Sequence, residues 1–193
     1  METVGIQFKN TFHRQLGSMD AGVRLKDAVL SRDMGGWTMA LTNLIAECCS
    51  QLEWRCCARW NPGVVLPQRQ KEYFTLDVTA FGSGREGWQF PIATMELENM
   101  ASKRKIAYCL WKLLGVASSF RCLFCYRERE EQRDALLDYL RSELVESLQI
   151  DERQRVQGET YICIGTRNDA SYFPYGFFRW WSLNLNTTRF EVI

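Results

Sequence analysis

Three acidic residues lie in predicted strands, and their spacing is that of a metal site. Asp77 falls in segment 72–81, and Glu96 and Glu98 stand two residues apart in segment 90–98. Alternate residues of a strand share one face at about 6.5–7 Å, and Asp77 joins that face if the two strands pair. Carboxylates gathered on one face repel one another and lose hydration, and a hard divalent cation is the usual compensating charge. The residues therefore predict a Mg²⁺ or Mn²⁺ site.

Both acidic segments alternate apolar and polar residues, as strands with one buried face do. The apolar positions are Phe74, Leu76, Val78 and Ala80 in the first segment and Ala93, Met95 and Leu97 in the second. A glycine-rich loop, 82–87, joins the segments, so we expect neighbouring strands of a meander. The loop matches neither a P-loop nor a dinucleotide fingerprint because no helix is predicted after it, and its Arg85 is a candidate nucleic-acid contact.

The spacing of apolar residues predicts the elements around these strands. Helices are expected from about residue 37 for some 15 residues, at 100–114 and at 127–148, and strands at 119–126, 160–165 and 177–185, the last at the sheet edge. Segment 52–60 fits either the end of the first helix or a short strand, and we favour the strand. The helix between strands 119–126 and 160–165 makes them a βαβ unit, whose strands are parallel.

The length of 193 residues predicts one domain. We divide it into a polar N-terminal extension (1–33), a core (37–165) and an aromatic C-terminal edge segment (172–193). The mixed α/β pattern predicts a central sheet flanked by helices.

The order of these elements resembles the PD-(D/E)xK nuclease superfamily over residues 41–126. Leu76-Asp77-Val78 looks like the first motif element of that family, and Glu96-Leu97-Glu98 looks like the second. The resemblance implies a restriction-endonuclease-like core of order αβββαβ, with a three-strand meander, parallel strands, and an extra helix and strands. It also implies that Asp77 and Glu96 are metal ligands, with Glu47 on the first helix as a further candidate.

The sequence departs from the family at the motif lysine, which is replaced by Glu98. In one explanation Glu98 acts as a general base or as a ligand of a second metal. In the other, Lys103 or Lys105 supplies the missing positive charge from the helix that follows. The resemblance further implies that this helix faces the phosphate backbone, and its candidate contacts are Lys103, Arg104, Lys105 and Lys112.

The function implied by the resemblance is that of a metal-dependent endonuclease, acting on DNA rather than RNA. A single active site cuts one strand at a time, so double-strand cleavage would require a homodimer. The alternative is a catalytically inactive protein of the same fold that binds nucleic acid or serves as a subunit of a larger complex.

Composition excludes several other classes of protein. A net charge of +1 is too small for binding to nucleic acid by bulk charge. The sequence shows neither a long apolar run nor the pattern of a signal peptide, so we expect a cytoplasmic protein without a membrane partner. The eight cysteines lie mostly in apolar segments and are expected to be buried thiols, and the single histidine, His13, makes a Ser-His or Cys-His mechanism improbable.

Overall fold

In a computed structural model, the chain folds around a mixed seven-stranded sheet whose strands lie in chain order. The structure describes residues 2–193, except for the side chains of residues 19 and 169–171. The strands are β1 (Arg55–Ala58), β2 (Val78–Phe81), β3 (Ala93–Glu98), β4 (Phe120–Arg127), β5 (Glu159–Thr166), β6 (Phe178–Asn184) and β7 (Arg189–Val192). The α-helices are α1 (Val4–Leu16), α2 (Met19–Leu30), α3 (Met34–Gln51), α4 (Lys103–Leu114), α5 (Glu131–Leu140) and α6 (Ile150–Arg155). A π-helical segment (Arg141–Val145) follows α5, and a 3-10 helix (Arg167–Tyr172) follows β5.

The strand pairing confirms the predicted meander and the predicted parallel unit. Strands β1, β2 and β3 pair antiparallel, whereas β3, β4 and β5 are parallel and are joined by crossovers that contain helices. Strands β6 and β7 return antiparallel. The α/β class with a mixed sheet is therefore confirmed.

Helices cover both faces of the sheet and form two hydrophobic cores. Helices α1, α2 and α3 bury Phe8, Phe12 and Ile45 against one face, which includes Met95. Helices α4 and α5 bury residues such as Leu110 against the other face. Cys122 and Cys125 of β4 lie in different cores, because residues three apart in a strand point to opposite faces, and all eight cysteines are free.

The predicted polar extension, 1–33, contains two of these core helices. Met1 lies outside the described residues. Phe8, Phe12 and Leu16 recur every four residues and are almost completely buried, so α1 packs as an amphipathic helix. Thr3 caps its first turn by accepting a hydrogen bond from the Ile6 amide.

The predicted strand at 72–81 is much shorter in the structure. Strand β2 begins at Val78, because Phe74 and Thr75 adopt positive φ angles of 58° and 56° that interrupt an extended chain. Asp77 therefore immediately precedes a strand and does not lie in the middle of one. The predicted edge strand is β6, but β7 pairs with its outer side and forms the sheet edge.

No helix within residues 2–193 is both long and apolar enough to cross a membrane.

Candidate functional site

Asp77 and Glu96 occupy facing positions at the β2–β3 pair. Val78 of β2 pairs with Met95 of β3, so the residue before β2 lies opposite Glu96. The Asp77 carboxylate accepts a hydrogen bond from the Leu97 amide at 2.8 Å, which fixes it against β3. Met95 and Leu97 face the core beneath α3, so Glu96 projects from the opposite face, towards α4.

Lys112 of α4 meets these acids. Its ammonium nitrogen lies 2.8 Å from Glu96 Oε1, with the two side chains 20% and 5% exposed, and it donates a hydrogen bond to the Thr75 carbonyl at 2.7 Å. Glu96 Oε1 is fully buried and has no partner with hydrogen-bond geometry among the described residues, so its contact with Lys112 is a charge interaction. The structure thus brings two acids and one lysine together in a partly closed site.

The positive charge of Lys112 compensates the acids at this site only in part. Burial, together with the negative charge of Asp77, raises the pKa of Glu96 to about 7, even though Lys112 opposes the shift. Burial also raises the pKa of Asp77, although the Leu97 amide and Lys112 partly offset it. Burial acts to lower the pKa of Lys112, but its contact with Glu96 outweighs this and raises it, so Lys112 is fully charged.

Glu98 lies on the same sheet face as Glu96, but both of its carboxylate oxygens already have partners within the protein. One oxygen accepts a hydrogen bond from the Met100 amide at 2.7 Å, which closes the turn after β3, and the other lies 3.9 Å from the Cys109 sulfur. Burial and the neighbouring charge of Glu96 raise the pKa of Cys109, so this residue remains a thiol. Cys109 was not predicted as part of the site, and no sequence signal beyond its position on the inner side of α4 indicates it.

The basic residues at the start of α4 do not reach the acids. Lys103 donates to the Ala135 carbonyl at 3.0 Å and lies over the Tyr139 ring, and Lys105 contacts the Met100 sulfur. Arg104 is exposed. Lys112, two helical turns beyond Lys105, supplies the positive charge that the sequence predicts for Lys103 or Lys105. The sequence indicates Lys112 only as a phosphate contact.

Two other predicted residues lie apart from the site. Glu47 is on α3, which packs on the opposite face of the sheet, and its nearest cation is Arg24 at 4.0 Å. The structure therefore does not support Glu47 as a metal ligand. Arg85 is exposed in the β2–β3 loop, where its carbonyl accepts a hydrogen bond from Arg55.

The two carboxylates fit a hydrated Mg²⁺ better than a cation enclosed by protein ligands. Across the described side chains, no group of three or more histidine, cysteine or acidic residues is arranged to hold a metal. Mg²⁺ commonly binds through one or two carboxylates and retains several waters. Glu96, whose buried carboxylate is paired with Lys112, and the facing Asp77 supply these two carboxylates.

Comparisons of the chain with protein-family models, curated proteins and solved structures find no match.

Proposed function

We propose that this chain is a divalent-metal-dependent nuclease with Asp77, Glu96 and Lys112 at its active site. The observation that carries the proposal is the contact of Lys112 with Glu96 opposite Asp77. Two acids and a lysine are the residues that the PD-(D/E)xK resemblance requires, and here the lysine would come from α4 instead of β3. The order α3-β1-β2-β3-α4-β4, with an antiparallel meander followed by a parallel strand, supports a restriction-endonuclease-like core.

Asp77 and Glu96 would hold the Mg²⁺ or Mn²⁺ ion in this proposal. A divalent cation bound there would polarise a phosphoryl oxygen and lower the pKa of a water molecule. Both carboxylates are positioned before any ligand binds, Asp77 by the Leu97 amide and Glu96 by its buried strand. Little reorganisation of the protein would therefore accompany binding.

Lys112 would stabilise the negative charge that develops on the phosphate during cleavage. Its pKa is raised by Glu96, so it keeps its proton at neutral pH. A fixed positive charge in a partly desolvated site is effective in this role. This arrangement favours the explanation in which a lysine of the helix replaces the motif lysine, and it makes Glu98 a residue that positions the end of β3.

The first turn of α4 would contribute to binding of the nucleic-acid backbone. Arg104 and Lys105 are exposed there and can approach phosphates, whereas the Lys103 ammonium donates a hydrogen bond to the Ala135 carbonyl. We propose DNA as the preferred substrate, with a second copy of the chain needed for double-strand cleavage.

A second candidate is a non-catalytic protein of this fold that binds nucleic acid or a larger complex. The observation that favours it is that Lys112 already lies against Glu96, while Glu98 is bound to the Met100 amide. In that case Lys112 replaces a metal ion as the compensating charge.

The test of the nuclease proposal is cleavage of supercoiled plasmid, single-stranded DNA and single-stranded RNA in Mg²⁺, Mn²⁺ or EDTA. Wild-type protein is compared with Asp77→Asn and Glu96→Gln, and Glu47→Gln serves as a matched control on the opposite sheet face. We expect cation-dependent cleavage that both site variants reduce by about 100-fold or more and that Glu47→Gln retains. Cleavage that persists in both site variants would refute the assignment, and its absence in wild type would favour the non-catalytic protein.

A further inference from the structure

A crevice of about 500 Å³ opens where the three parallel strands end. Asn99 follows β3, Arg127 is the last residue of β4, and Arg167 follows β5, and all three line the crevice. The carboxyl ends of parallel strands are the usual location of ligand sites in open α/β sheets. The volume lies in the range of small-molecule pockets, roughly 300–1,000 Å³.

Arg127 is a buried cation with unused hydrogen-bonding capacity in this crevice. The residue is only 6% exposed, and one terminal nitrogen, Nη1, donates to the Tyr126 carbonyl at 2.5 Å. The other, Nη2, is buried and lacks a hydrogen-bond partner in the part of the chain whose side chains are described. A buried donor left unpaired is costly, and a charged one more so, which points to a partner supplied by a ligand.

Arg121 shows how the same strand accommodates a buried arginine without a ligand. Its guanidinium donates to the carbonyls of Leu113, Val116 and Gln157 at distances between 2.7 and 3.2 Å. Arg121 is therefore satisfied within the fold, and burial alone does not explain the free nitrogen of Arg127.

The other side chains of the crevice make it cationic and add a hydrogen-bond acceptor. Arg167 and Lys103 contribute positive charge, which together with Arg127 outweighs the one acid among the described lining residues, Glu128, 3.9 Å from Arg167. The Asn99 side-chain oxygen is buried without a donor among the described residues, so it can accept from a ligand hydroxyl.

We propose that this crevice binds a small hydroxyl-bearing phosphate monoester, with Arg127 as the principal phosphate ligand and Arg167 as its support. Arginine suits this role because its planar donors match phosphate oxygens. The proposal does not depend on the nuclease site, because Asp77, Glu96 and Lys112 do not line the crevice.

Calorimetric titration with ribose 5-phosphate and with inorganic phosphate, both in EDTA, tests the proposal. We expect saturable binding of the sugar phosphate and weaker binding of inorganic phosphate, which cannot use the Asn99 oxygen in the same way. Arg127→Met should raise the Kd for ribose 5-phosphate by about tenfold or more, and Arg167→Gln by about threefold. Arg129→Gln removes the same charge from an exposed neighbouring position and should leave the Kd unchanged.

The proposal is overturned if wild-type protein shows no saturable binding of either phosphate compound. It is also overturned if Arg129→Gln weakens binding as much as Arg127→Met, since the effect would then be one of surface charge. Equal Kd values for the two compounds would refute the hydroxyl contact. Near-ultraviolet circular dichroism establishes that each variant is folded, and Arg167→Gln decides the test if Arg127→Met does not fold.

Discussion

At the scale of single residues, Glu96 has the most consequential environment in the proposed active site. It is the only buried acid among the described residues, and its pKa of about 7 results from burial and the nearby charge of Asp77. A carboxylate held in this state destabilises the folded protein when it ionises. Because the ionised carboxylate is buried beside a second acid, Glu96 has a strong tendency to bind a cation.

The raised pKa of Glu96 predicts a stability that falls as pH rises. The folded state binds the proton more tightly than the unfolded state, so the free energy of unfolding decreases between pH 4.5 and about 7. The decrease should be on the order of 3 kcal/mol and should be absent in Glu96→Gln. Urea denaturation at pH 5 and pH 8 measures it.

The difference between wild type and Glu96→Gln isolates the titration of Glu96, including its coupling to Asp77, from titrating groups elsewhere in the chain. His13, whose pKa is lowered by burial and by Lys9, acts in the opposite direction but equally in both proteins. Equal pH dependence in the two proteins would contradict the account of Glu96.

Lys112→Met should destabilise the protein more at pH 8 than at pH 5. At pH 8 Glu96 is ionised beside Lys112, and the substitution leaves it either ionised without its cation or protonated at a cost in free energy, whereas at pH 5 Glu96 is already protonated. We expect the loss of unfolding free energy at pH 8 to exceed the loss at pH 5 by about 1 kcal/mol, because pH 8 lies only one unit above the pKa of Glu96 and proton uptake limits the cost. Lys105→Met is the matched control, since the Lys105 ammonium lies against the Met100 sulfur and not against an acid of the site. An equal loss in that variant would contradict the pairing.

Much of the site at this scale was predictable, except for the choice of lysine. Strand alternation correctly placed Glu96 and Glu98 on one face, and the meander placed Asp77 beside them. Which lysine reaches Glu96 depends on how α4 is rotated and shifted over the sheet, and that is set by the packing of Ile106 and Leu110. No local sequence pattern predicts this position of α4 over the sheet.

At the scale of elements, α4 is held at its carboxyl end by a buried arginine of β4. Arg121 is 1% exposed, and burial lowers its pKa to about 10. Its carbonyl partners Leu113 and Val116 stand at the end of α4, where the helix leaves carbonyls unpaired. This contact stabilises the position from which Lys112 reaches Glu96.

Arg121→Met should destabilise the protein by about 3 kcal/mol, because it removes several charge-assisted hydrogen bonds and leaves buried carbonyls unpaired. Hydrogen exchange should show faster opening at the end of α4 than elsewhere. Arg104→Met, at an exposed position on the same helix, should change the free energy of unfolding by less than about 0.5 kcal/mol. Comparable effects of the two substitutions would disprove the role given to Arg121.

Element prediction succeeded where periodicity was sustained and failed where the backbone departs from it. Helix α3 and strands β4 and β5 appear within a few residues of their predicted positions. The alternation through 72–77 was misleading because Phe74 and Thr75 are in left-handed conformations, which their side chains do not indicate. The regular spacing of Phe8, Phe12 and Leu16 was an available signal for α1.

At the scale of the whole molecule, the N-terminal helices are part of the structure that supports the site. Phe8, Phe12 and Leu25 are completely buried in the core beneath the sheet face opposite Glu96. Each such side chain contributes roughly 1.5–3 kcal/mol on burial. Loss of all three would therefore remove a free energy comparable to the net stability of a typical domain, about 5–15 kcal/mol.

Removal of residues 2–33 should therefore abolish cooperative folding. Near-ultraviolet circular dichroism and thermal unfolding of the shortened chain measure this, and we expect no sharp transition. The single substitution Phe12→Ala tests the same core contact, and it should lower the free energy of unfolding by about 4 kcal/mol. A shortened chain that melts sharply near the wild-type temperature would show that 1–33 is a dispensable extension.

The most direct test of the central claim is a calorimetric titration of the protein with Mn²⁺. Cation binding does not require knowledge of the preferred nucleic acid, so it tests the site independently of the substrate. We expect one saturable site in wild type, a Kd raised about tenfold or more in Glu96→Gln, and an unchanged Kd in Glu47→Gln. Absence of saturable binding in wild type, or equal binding by Glu96→Gln, would contradict a metal site at Asp77 and Glu96.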